Sequence, residues 1–81
     1  MKEDKKYLFI APWIPYFEIL KNMILEEPNL SDVIVIDISE TISEYVGFGL
    51  KTLPALVIDS ENSIKTRYGF FTREELLAYF S

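Results

Sequence analysis

The chain has 81 residues, 49% of them hydrophobic and 15% aromatic, and its 8 basic and 13 acidic side chains leave a net charge of −5. That length holds one domain, taken as residues 1–81 with a polar head at 1–5, and the composition is too apolar for a disordered chain. An acidic balance without a basic run argues against nucleic acid and against anionic membrane surfaces as partners.

Two residue types are missing altogether. There is no cysteine, hence no disulfide, no thiolate nucleophile, no Fe–S cluster and no thiolate zinc site. There is no histidine, so the commonest general base and the commonest transition-metal ligand are absent too. Any metal would need oxygen ligands alone. Asp59, Glu61 and Asn62 share one turn, but without EF-hand spacing, and no metal site is expected. No run approaches the roughly 18 apolar residues of a membrane span. The carboxylates of the opening Met1–Lys6 do not suit a signal peptide, and the expected location is cytoplasmic.

Along the chain, Tyr7–Ala11 is a short apolar run without alternation, which predicts a strand covered on both faces, ended by Pro12. Pro15 fits a first helical turn. Tyr16, Phe17, Ile19, Leu20, Met23 and Ile24 then recur at helical spacing, with Glu18, Lys21, Asn22, Glu26 and Glu27 on the solvated side. Pro28 and Asn29 stop this helix. Val33–Ile38 is β-branched and nearly continuous, and predicts a second buried strand. Ser39 is the predicted N-cap of a short helix bearing Ile42, Tyr45 and Val46, broken by Gly47 and Gly49.

Pro54 opens a third strand, Ala55–Ile58, and the turn residues 59–63 join it to Ile64–Tyr68 as an antiparallel hairpin. That last strand belongs on a sheet edge, where Lys65 and Arg67 argue against open pairing between chains. Thr72-Arg73-Glu74-Glu75 is a capping box, with Phe71 and Leu76 placed as its hydrophobic staple and Leu76, Leu77, Tyr79 and Phe80 as a buried stripe. The first β-α-β should be a right-handed parallel crossover. The predicted fold class is α/β, in the order β-α-β-α-β-β-α. It is a four-stranded mixed sheet with helices on both faces.

This order, with three motifs at the expected places, resembles the smallest thioredoxin-fold proteins. Ala11-Pro12-Trp13-Ile14-Pro15-Tyr16-Phe17 is similar to the Ala-Pro-Trp-Cys segment of thioredoxins, and Pro15-Tyr16 is the inner pair of the glutaredoxin Cys-Pro-Tyr-Cys motif. Thr52-Leu53-Pro54 resembles the glutaredoxin Thr-Val-Pro, which implies a cis Pro54 facing the site. Phe48–Leu56 is similar to the thioredoxin segment around that proline, and Gly69 matches a family glycine.

The departures fall on the chemistry. The redox positions are Ile14 and Phe17, the buried acid of thioredoxins is Leu8, the basic residue of many glutaredoxins is Ala11, and the second glycine of their Gly-Gly pair is Phe70. Thiol–disulfide exchange needs a thiolate attacking sulfur, and the only sulfur here is in Met1 and Met23. No catalytic residue is therefore assigned. The resemblance leaves a recognition surface: Trp13, Ile14 and Tyr16 at the helix start, with Leu53 and Pro54 opposite. In the family the backbone before the cis proline pairs with an extended peptide or with glutathione.

The expected function is a redox-inactive module binding a peptide or protein. One alternative is a cysteine-replaced variant of a thiol–disulfide oxidoreductase. A second is a glutathione-binding protein, with Tyr16 as the site hydroxyl and Lys51 or Arg73 meeting the glycine carboxylate. A third is a structural or oligomerising domain with no ligand. The expected state is a monomer or weak homodimer. The purely structural readings are that Phe17 fills the core, Tyr16 packs on the first helix, Trp13 is a structural plug, and Asp37 serves a turn or cap.

Overall fold

A computed structural model describes residues 4–69 and 71–80. The elements are β1 (Lys5–Ile10), α1 (Phe17–Glu26), a 3-10 turn (Pro28–Leu30), β2 (Val33–Asp37), α2 (Ser43–Gly47), β3 (Ala55–Asp59), β4 (Ile64–Tyr68) and α3 (Arg73–Phe80). The sheet order is β2-β1-β3-β4. β1 and β2 run parallel with Tyr7 beside Ile34, while β1–β3 and β3–β4 are antiparallel with Leu8 beside Leu56 and Leu56 beside Arg67. The mixed four-stranded sheet predicted from the sequence is the one observed.

Alternation along the strands divides the core in two. Leu8, Ile10 and Leu56 point to one face, where they pack with Leu20 and Ile24 of α1 and with Phe71, Leu76 and Phe80 at α3. Phe9, Ala55 and Val57 point to the other, against Tyr45 of α2 and Phe48 and Leu50 just beyond it. β1 lies centrally, and Leu8, Phe9 and Ile10 are all fully buried. This is why its sequence is continuous rather than alternating.

Five local expectations need correction. β2 is an edge strand rather than a strand buried on both faces, and Ile34 is 46% exposed. Pro15 precedes α1 instead of occupying its first turn, because Tyr16 is the N-cap. Ser39 does not cap α2, whose N-cap is Ile42. Its N–H and Oγ both donate to Asp37 Oδ1, at 2.9 and 2.6 Å, closing a side-chain turn at the end of β2. Glu27 is buried rather than solvated. Ile14 is half-buried against the α1–α3 core, although a helix-start position at a recognition site is expected to face solvent. Gly49 has φ +67° and Gly69 φ +117°, which favour glycine at the turns into the Pro54 loop and out of β4. Phe70 lies outside the described residues.

Candidate functional site

The chain leaves β1 at Ile10 and makes two turns before α1. The Ile14 N–H donates to the Ala11 carbonyl at 3.1 Å, and the Phe17 N–H donates to the Ile14 carbonyl at 3.3 Å. The Leu20 N–H to Tyr16 carbonyl bond, 2.9 Å, then begins the helical ladder. These turns sort the side chains. Ile14 and Phe17 lean inward and pack on the α1–α3 core, so hydrocarbon fills the ground beneath the helix start. Trp13 and Tyr16 are left outward, 67% and 45% exposed. The Lys21 Nζ sits 5.6 Å from the Phe17 ring centroid, over its face.

The second half of the site comes from the loop before β3. The Leu53–Pro54 peptide is cis. Because Phe9 pairs with Ala55, extending the antiparallel register sets Pro54 alongside Ile10 and Leu53 alongside Ala11. Leu53 and Pro54 therefore lie at the end of the sheet where Trp13 and Tyr16 emerge. The Leu53 side chain packs on the α2-side core. Neither its N–H nor its C=O has a hydrogen-bond partner among the described residues. The Pro54 carbonyl accepts from the Gly69 N–H at 3.2 Å, and the Tyr68 hydroxyl accepts from the Lys51 N–H at 3.3 Å. Tyr68 thus braces the loop from the neighbouring strand. The sequence offers no sign of this, since it depends on the register of β4.

None of the five residues Trp13, Ile14, Tyr16, Leu53 and Pro54 carries a charge. Of the two cations considered for a glycine carboxylate, Arg73 is held elsewhere. Its Nε donates to Glu27 Oε2 at 3.0 Å and its Nη2 meets the same oxygen. The bond to Arg73, followed by the Asn29 N–H, holds the Glu27 carboxyl below the usual carboxylate range, and the same pair raises Arg73. The arrangement offers apolar contact and open backbone for hydrogen bonding, with no nucleophile or general base at its centre.

No protein-family model and no curated relative matches the sequence. Solved structures do match its fold. A point-mutant thioredoxin from Halobacterium salinarum superposes with a TM-score of 0.75 and 18% identity, covering 98% of this chain and 73% of that one. Trxlp from Edwardsiella tarda gives 0.74 and 12% identity over 96% and 82%. A malarial protein gives 0.72 and 16% identity over 95% and 92%. The chain has the thioredoxin fold, in a four-stranded form whose sequence contains no cysteine. No helix among the described residues is long and apolar enough to cross a membrane.

Proposed function

We propose that this is a redox-inactive thioredoxin-fold domain that binds an extended segment of a peptide or protein across Trp13, Tyr16 and the Leu53–Pro54 loop. One observation carries the reading: two exposed aromatic rings and a backbone position without a partner lie at the same end of the sheet. Tryptophan and tyrosine present large contact area at low conformational cost, and they dominate binding hot spots. An extended chain alongside Leu53 gains two main-chain hydrogen bonds regardless of its sequence, and the aromatic rings supply selectivity. Thiol–disulfide exchange at such a site needs a thiolate, which this sequence does not provide. The module acts in the cytoplasm on this reading.

The test is NMR titration of labelled protein against a library of unstructured peptides, with Trp13 fluorescence in parallel. Shifts centred on Trp13, Tyr16 and the Leu53 amide, and a loss of affinity of about tenfold or more in Trp13→Ala, support the site. Shifts confined to other surfaces refute it. Calorimetry with glutathione separates the small-ligand alternative: binding heat that Trp13→Ala abolishes would make the occupant glutathione instead of a peptide.

A further inference from the structure

β2 is an edge strand, and its first four residues lack the usual defences. Edges are commonly blunted with lysine, proline or a bulge, whereas Val33-Ile34-Val35-Ile36 is β-branched and uncharged. The Ile38 N–H donates to the Ile10 carbonyl at 2.9 Å. Backbone groups alternate sides along a strand, so Ile34 and Ile36 share that inward direction, while Val33, Val35 and Asp37 turn theirs out. The Asp37 carbonyl is already engaged by the Glu40 and Thr41 N–H groups, at 3.0 and 3.1 Å. The N–H groups of Val33, Val35 and Asp37 and the carbonyls of Val33 and Val35 have no partner among the described residues.

Apolar side chains flank this edge on both faces. On the α2 side Ile34 is exposed. On the α1 side a groove of about 260 Å3 is lined by Phe17, Lys21, Leu25, Val35, Asp37 and Glu40 among others, and Leu25 is 69% exposed. Phe17, Lys21 and Leu25 form one stripe of α1.

We propose that β2 pairs with β2 of a second copy of this chain, antiparallel about a two-fold axis at Val35. The register decides the occupant. The outward residues are symmetric about Val35, so every outward residue meets another outward residue. The two Val35 residues exchange two hydrogen bonds, and each Asp37 N–H donates to the Val33 carbonyl of the other copy, making four in all. Ile34 meets Ile36 of the second copy on one face. On the other, each α1 stripe meets its own copy reversed, Leu25 toward Phe17. The reversal brings Lys21 to Lys21 at the axis, and the Asp37 and Glu40 carboxylates of both copies, which line the same groove, offset the two cations. The same operation on β4, centred on Thr66, would set Lys65 opposite Arg67, and like charges directly opposite destabilise.

Sedimentation velocity of the full chain from about 5 to about 500 µM tests the pairing. The expected result is a concentration-dependent species at twice the 9.5 kDa mass, with the Val35 and Asp37 amides gaining protection from hydrogen exchange as it forms. Val35→Pro removes an outward donor without touching the β1 ladder, and Leu25→Lys places charge on the seam. Each should raise the dissociation constant by about tenfold or more, while Lys65→Ala and Trp13→Ala leave it unchanged. If Val35→Pro loses its fold by circular dichroism, Leu25→Lys decides. A monomer at the highest concentration overturns the proposal, as does a dimer whose affinity both folded seam variants retain. Because Trp13→Ala spares the dimer, failure here is separable from failure of the peptide-binding site.

Discussion

Glu27 is the one buried acid among the described residues, 6% exposed, and both its oxygens are in use. Oε1 accepts from the Asn29 N–H at 3.2 Å and Oε2 binds the Arg73 guanidinium. Its pKa is depressed in the folded protein, first by Arg73, so the pair's stabilisation is complete above the ordinary glutamate value of 4.5 and is lost as pH falls through the lower folded value. Urea denaturation of Glu27→Gln should show lower stability than wild type at pH 7 and a gap that narrows as the pH falls below 4.5. An unchanged gap across that window would exclude the linkage. Thr72 is the other decisive residue: its Oγ1 accepts from the Glu75 N–H at 3.2 Å while Glu75 Oε1 accepts from the Thr72 N–H at 3.0 Å. Thr72→Ala should cost about 1 kcal/mol in denaturant unfolding. The spacing Thr72 to Glu75 reveals the cap from sequence because both partners share one helical turn. The Glu27–Arg73 pair spans 46 positions, and no local rule predicts it.

Among the elements, α1 carries the contrast between fold and chemistry. Its first turn has the dipole that elsewhere lowers a thiol's pKa, but Ile14 and Phe17 present nothing to ionise. The two side chains instead extend the α1–α3 core. Restoring the missing atoms is a direct experiment. Ile14→Cys combined with Phe17→Cys should form a disulfide that dithiothreitol reduces, and the resulting dithiol should accelerate insulin disulfide reduction with dithiothreitol supplying the electrons. A folded double variant without such activity would mean that the helix start no longer activates a thiolate. The 3.6-residue pattern of α1 and the capping box of α3 are legible in the sequence. The short α2 is legible as well, but its start is not, because Ser39 bonds to Asp37 rather than to helical N–H groups.

The whole molecule rests on a central strand buried on both sides. A domain of this size buries only about 60–65% of the surface its unfolded chain exposes, and at the usual stability per residue it has about 4–12 kcal/mol to lose. Leu8→Ala, at a fully buried position of β1, should remove about 2–5 kcal/mol. The expected result is a large drop in Tm or a chain unfolded at about 37 °C, measured by circular dichroism; a change of less than about 1 kcal/mol would mean that the α1–α3 core relaxes into the space. Leu8, which stands where thioredoxins hold a buried acid, here fills the core with hydrocarbon.

The sequence alone determined the order of elements, the burial of β1 on both faces and the absence of thiol chemistry, because periodicity, caps and residue identity act over a few positions or none. Tertiary structure decided which strands form the edges, that Ile14 turns inward while Trp13 and Tyr16 face solvent, and that Glu27 is buried against Arg73. These outcomes depend on strand register and on partners distant in the chain. Their energies come from contacts that exist only once the sheet has closed.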